Sequence, residues 1–212
     1  MICVSLSLRD PEEVIRILKS VDFAEVRLDL VTVDAADVQR IFSSPSRLIA
    51  TCREGGRPEA ERESLLKAAI LAGAAYVDLD IQTDTSLGRS IIPLARSRNC
   101  KIILSFHDFE GTPARAELKR IIDLGFRSGA DIVKIACQVN VPIENARLLG
   151  LLEDPRPLVV LGMGEPGRIT RVFAPLLGGR FTYASSGVGK ETAPGQLPFR
   201  KLIKLLEALK DV

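Results

Sequence analysis

Eight short apolar, β-branched runs recur along this chain, and a segment with helical spacing separates each from the next. Few folds accommodate so strict an alternation. The runs are ICVSLS (2–7), FAEVRLD (23–29), RLIATCR (47–53), YVDLD (76–80), KIILSFHD (101–108), IVKIAC (132–137), LVVLGM (158–163) and FTYASS (181–186). Asp10 before Pro11 reads as an N-cap with proline at the first helical position, and Val14, Ile17, Leu18 and Val21 then share one face. Asp34 can cap a helix over 35–43, and 59–72 is rich in Glu, Leu and Ala. Weaker patterns cover 86–98, 114–128, 143–152 and 167–177, and Leu202, Leu205, Leu206 and Leu209 mark the last helix. Strand-then-helix alternation implies parallel strands with right-handed crossovers, and eight units predict closure into an α/β fold of the (β/α)8 TIM-barrel type. At 212 residues the chain is expected to form a single domain, 1–212. An open doubly wound sheet is the alternative, but no G-x-G-x-x-G follows the first strand, so dinucleotide binding lacks its main signature.

Composition narrows the partners. A net charge of +2 with no long basic run argues against nucleic acid, and no apolar run reaches the roughly 18 residues needed to span a membrane. The opening MICVSLSLRD lacks the basic and apolar regions of a signal peptide, so a cytoplasmic location is the expectation. Cys3, Cys52, Cys100 and Cys137 lie far apart without a C-x-x-C pair, which predicts buried thiols rather than a zinc site or a redox dithiol. His107 is the only histidine, so no metal site built on histidines is expected.

Side chains alternate faces along a strand, and in a barrel the set facing the helices is apolar. In FAEVRLD, Ala24, Val26 and Leu28 oppose Glu25, Arg27 and Asp29; in YVDLD, Val77 and Leu79 oppose Asp78 and Asp80. In the fifth strand Ile102, Leu104 and Phe106 oppose Ser105 and His107, and in the sixth Val133, Ile135 and Cys137 oppose Ile132, Lys134 and Ala136. With Arg53 from the third strand, the charged set gathers at the C-terminal ends of the strands, where catalytic groups of this fold sit. Internal ion pairing explains any one of these residues; eight ionisable groups in one low-dielectric region favour function.

An ammonium group among apolar neighbours and other cations has its charged form disfavoured, which leaves a free amine able to add to a carbonyl. The protonated imine is an electron sink that acidifies the adjacent C–H, and a nearby base can remove that proton. His107, on the neighbouring strand and in matching phase, is the candidate base. Two alternatives stay open: Lys134 as an ion-pair partner of Asp78 or Asp80, and His107 as a hydrogen-bonded core histidine beside Asp108. Asp108, out of phase, is expected to orient a loop.

The residues resemble the type I 3-dehydroquinate dehydratases, Schiff-base enzymes of the shikimate pathway, over nearly the whole chain. The resemblance rests on Glu25, Arg27 and Asp29 in EVRLD, on TCR ending at Arg53 and followed by Glu54-Gly-Gly, and on SFHDF around His107 with Thr112-Pro113 beyond it. It continues through Lys134-Ile-Ala, Gly-Met-Gly leading to Arg171, and Thr192-Ala-Pro-Gly-Gln196. It implies dehydration of 3-dehydroquinate to 3-dehydroshikimate without a cofactor or metal. Lys134 would form the imine, His107 would act as general acid and base, and Glu54 would match the acidic residue that orients the histidine. Arg171 would clamp the substrate carboxylate with Gln196 and Thr192 beside it, while Glu25, Arg27 and Arg53 would hold the ring hydroxyls. Thr192 stands where many members have serine. The resemblance also implies a homodimer.

The stretch 188–197 is too polar and glycine-rich for a regular element and is expected to be a closing loop. Two rival readings remain: an aldolase using the same lysine on a sugar phosphate, with Gly162, Gly164, Gly187 and Gly189 at a phosphate site, and a catalytically silent barrel.

Overall fold

The computed structural model describes residues 1–209. Strands and helices alternate in the order β1 (Ile2–Leu6), α1 (Pro11–Leu18), β2 (Phe23–Arg27), α2 (Ala35–Phe42), β3 (Arg47–Thr51), α3 (Glu59–Leu71), β4 (Tyr76–Asp80) and α4 (Thr85–Ser97). They continue as β5 (Lys101–Asp108), α5 (Arg115–Arg127), β6 (Ile132–Gln138), α6 (Ile143–Leu149), β7 (Leu158–Met163), α7 (Arg168–Phe173), β8 (Thr182–Ser185) and α8 (Phe199–Ala208). The sheet runs β7-β6-β5-β4-β3-β2-β1-β8, so sequential strands are neighbours and β8 lies beside β1, the strand order of the (β/α)8 barrel read from the sequence.

Packing divides the chain into two compact units: Leu6–Leu104 with Gly129–Asp131, and Met1–Ser5 with Ser105–Ser128 and the segment from Ile132 onward. In the first unit β2, β3 and β4 are parallel, with Arg27 level with Thr51 and Thr51 level with Asp78. Their apolar set is buried against helices that present Val14 and Leu18, then Val38, Ile41 and Phe42, then Leu65, Leu66, Ala69 and Ile70. Asp10 accepts from the Glu12 amide at the start of α1, and Asp34 with Asp37 forms a capping box at the start of α2. The capped positions are those that the sequence signalled. Arg62 of α3 is buried beside the strand ends: Nε and Nη2 donate to the Cys52 carbonyl at 3.0 and 2.9 Å, and Nη2 also pairs with Asp84. Asp84 Oδ2 in turn accepts from the Asp80 amide at 2.8 Å, fixing the C-terminal end of β4.

In the second unit β1 pairs with β8 and β6 with β7, all parallel, and β6 and β7 are buried almost throughout. Burial on both faces is expected of parallel strands covered by helices.

β1 and β8 stop one residue short of their hydrophobic runs, at Leu6 and Ser185, and β2 and β3 stop two residues short. β2 ends at Arg27 because the Leu30 and Val31 amides turn back to the Arg27 carbonyl, which places Asp29 in a turn. β3 ends at Thr51, so Arg53 follows the strand instead of lying within it. The expected helices over 143–152 and 167–177 are each split: α6 gives way at Gly150 to a 3-10 turn (Gly150–Glu153), and α7 at Ala174-Pro175 to another (Ala174–Leu176). Gly150 and Pro175 are weak and poor helix residues respectively, and the turn tightens at each.

All four cysteines are buried. Burial pushes the thiols of Cys52, Cys100 and Cys137 up to about 12, which leaves them inert at neutral pH. Among the described residues no helix is long and apolar enough to cross a membrane, and no three His, Cys, Asp or Glu side chains converge as metal ligands.

Candidate active site

The second unit carries the candidate chemistry. Lys134, third residue of β6, is only 6% exposed, and its Nζ lies 4.4 Å from the centroid of the Tyr183 ring on β8. His107 is near the end of β5, the neighbour of β6 in the sheet, and its ring is nearly parallel to that of Phe109 (11°, centroids 6.1 Å apart). Asp108 accepts from the Glu110 and Gly111 amides at 2.9 and 3.0 Å, the loop-orienting role expected of it. Thr112 donates to the Gln138 carbonyl at 2.7 Å, tying the segment after β5 to the end of β6.

Arg171, on α7, is 1% exposed, and its Nη2 donates to the Pro194 carbonyl at 3.2 Å. Nε and Nη1 are buried without a hydrogen-bond partner among the described residues. Burial, with Arg168 nearby, lowers its pKa to about 10. A buried guanidinium with donors in that state calls for an acceptor of opposite charge. The turn carrying Arg171 is itself fixed: Thr170 Oγ1 donates to the Gly167 carbonyl and accepts from the Gly162 amide, while Asn145 donates to the Pro166 carbonyl.

The 188–197 stretch has no regular structure, as its composition predicted, and Val188 at its start is 88% exposed. Its other end is anchored. Thr192 Oγ1 donates to Ser5 Oγ on β1 at 2.8 Å, the Thr192 amide donates to Gln196 Oε1 at 2.8 Å, and Gln196 Nε2 donates to Thr192 Oγ1 at 2.9 Å. Gly195 crosses directly over Gly164: a Cβ on Gly195 would stand 2.1 Å from the Gly164 carbonyl oxygen, and both residues have positive φ. Only glycine fits at this crossing. Gly164 thus seats the Ala-Pro-Gly-Gln segment, a structural reason for that glycine that needs no phosphate.

The first unit holds the remaining candidates. Thr51 donates to Glu25 Oε1 at 3.0 Å, and Glu25 is buried. Arg27 grips Asp29 through Nε at 3.0 Å and Nη2 at 2.6 Å. Arg53 pairs with the buried Asp78 at 2.8 Å, and its Nη1 is buried without a hydrogen-bond partner among the described residues. Burial opposes the Arg53 charge, but Asp78, then Glu25 and Asp80, outweigh it and raise its pKa. Glu54 is exposed in the turn after β3.

Residues 2–211 match the family described as Type I 3-dehydroquinase. The chain belongs to that family. It is 38% identical over 194 residues to the 3-dehydroquinate dehydratase of Thermococcus gammatolerans, covering 89% of this chain and 88% of the relative. To that of Desulfotalea psychrophila it is 36% identical over 191 residues, 85% and 84% of the two chains. The crystal structure of the 3-dehydroquinate dehydratase from Geobacillus kaustophilus superposes with a TM-score of 0.87 at 27% identity, covering 99% of this chain and 91% of the other. The fold is therefore the (β/α)8 barrel of the type I 3-dehydroquinases.

Sequence reasoning missed three contributors in this type I 3-dehydroquinase. Tyr183 sits in FTYASS, which reads as an ordinary apolar strand. Ser5 has no motif of its own. Arg62 did leave a signal, because it shares the helical face of Leu65, Leu66 and Ala69, and a cation there needs buried acceptors.

Proposed function

We propose that Lys134 is the amine that forms the imine in this chain's reaction and that His107 moves the protons. Family membership makes the activity that of a 3-dehydroquinate dehydratase, a hydro-lyase. The observation that carries the assignment is the position of Lys134, a buried amine on β6 beside the strand that bears the chain's only histidine. The amine adds to the C3 ketone of 3-dehydroquinate and water leaves, forming an iminium. His107 takes a C2 proton, and the C–H electrons move to nitrogen as an enamine. The enamine expels the C1 hydroxyl, which leaves as water with the proton held by His107. Hydrolysis of the resulting iminium frees 3-dehydroshikimate and restores the lysine. No step requires an external electron acceptor, because the iminium fills that role.

In this reading Arg171 donates to the substrate carboxylate from the nitrogens it leaves without a protein partner, beside Thr192 and Gln196. Glu25, Arg27 and Arg53, each held by a partner of its own, bind ring hydroxyls. Glu54 orients His107. The preference for a carboxylate over a sugar phosphate follows from the planar fork of Arg171, buried too deeply to meet a doubly charged group in water. The full reading adds a homodimer working in the cytoplasm, with sedimentation velocity as the check on assembly. Borohydride reduction in the presence of 3-dehydroquinate tests the function directly: the mass of one reduced ligand should appear on Lys134, and an unmodified Lys134 under turnover conditions would sink the assignment.

Arg171 yields a prediction with two signs. Its folded pKa lies below the ordinary guanidine value, so its charge opposes folding at every pH below about 10, and the penalty fades only as pH rises beyond that. The penalty is on the order of 3 kcal/mol. Arg171→Met should therefore melt no lower than the parent at neutral pH. It should also lose its charge-assisted hydrogen bonding to substrate, raising KM roughly 100-fold. A normal KM in steady-state kinetics would exclude the carboxylate role.

A further inference from the structure

Nothing in the sequence pattern drew attention to Tyr183, yet its ring is the aromatic surface against which the Lys134 amine rests. Tyr183 is buried on β8, and its ring is braced by Phe181 at a centroid distance of 5.5 Å and an interplanar angle of 60°. Its backbone is fixed by the β1 pairing, in which Cys3 lies level with Tyr183. Phe181 and the β1–β8 pairing thus support the ring where its face meets the amine. The face of an aromatic ring carries the negative part of its quadrupole, and a cation over it is stabilised most where water is excluded.

We propose that Tyr183 is a positioning residue for the reaction, holding Lys134 Nζ over its ring face and stabilising the nitrogen in its cationic states. This rests on the assignment of Lys134 as the imine-forming amine. Positive charge resides on that nitrogen at two points. The first is when the carbinolamine loses water to give the substrate iminium. The second is when departure of the C1 hydroxyl from the neutral enamine regenerates an iminium. The resting ammonium carries such charge too, but the carbinolamine and the enamine, from which the two steps start, do not. A ring face that favours only the charged species therefore pulls both water-losing steps forward and leaves the neutral species untouched. An aliphatic side chain of similar bulk would confine the amine without that preference.

The test keeps the shape of the ring and varies its charge distribution. Tyr183 is replaced by phenylalanine and by mono-, di- and trifluorinated phenylalanines, each fluorine weakening the negative face. Borohydride-trapped adduct on Lys134 in the presence of 3-dehydroquinate and kcat are then measured for each variant. Tyr183→Phe should retain the most adduct. The adduct and kcat should fall stepwise along the series, about tenfold by the trifluoro ring, while far-UV circular dichroism and melting temperature stay constant. Tyr183→Leu should lie at or below the trifluoro variant. Equal trapping and equal kcat across the series would refute the role of the ring while leaving the imine assignment intact. A parent protein that forms no adduct at all would refute both.

Discussion

Lys134→Ala is expected to abolish turnover of 3-dehydroquinate and to remove the borohydride-trapped adduct altogether. No other group described here can replace a covalent electron sink: without the iminium the C2 proton is acidified only by a ketone, and the C1 hydroxyl has no enamine to expel it. The loss should exceed anything obtained by weakening binding, and KM for residual substrate, where measurable, should change far less than kcat. Truncation also opens space beneath the Tyr183 ring, so stability must be followed separately. Lys134→Met fills that space with an uncharged chain of similar length. It should keep the fold, which far-UV circular dichroism checks, and it should be equally inactive. Measurable first-order turnover by Lys134→Met would overturn the covalent mechanism.

His107→Ala separates imine formation from proton transfer. The amine of Lys134 is still present, so the adduct should still be trapped, whereas kcat should fall by about 10² to 10⁴-fold, the usual contribution of a positioned acid or base. The variant also removes the partner of the Phe109 ring, but Asp108 continues to hold the following turn through the Glu110 and Gly111 amides. Steady-state rates beside trapping yields decide the matter. If His107→Ala turned over like the parent, the protons would have to travel by another group.

Much of this architecture was legible in the chain because period and punctuation agree. The boundaries of β4, β5 and β7 coincide with their apolar runs, and Asp10 and Asp34 cap the helices they were expected to cap. The departures arise where backbone geometry overrides side-chain pattern. Alternation carries on through Leu28 and Asp29, but the chain has already turned back on Arg27; helical spacing carries on past Gly150 and Pro175, but the backbone tightens there. Phase along one strand groups Glu25 with Arg27 and Asp78 with Asp80; the Glu25 charge acts on Arg27, and those of Asp78 and Asp80 act together on Arg53. What phase cannot supply is the height of one strand against another or the reach of a side chain. The ring beside Lys134 comes from β8, far away in sequence. The anchoring of Thr192 to Ser5 spans almost the whole chain and leaves no local trace in either segment.

The burial of every cysteine has a practical corollary. A single cysteine introduced in place of Val188, whose side chain stands almost entirely in water, would be the one thiol that a maleimide fluorophore or spin label reaches at neutral pH, with no need to delete the native four. Such a label would report directly on whether the segment carrying Thr192 and Gln196 moves as ligand arrives.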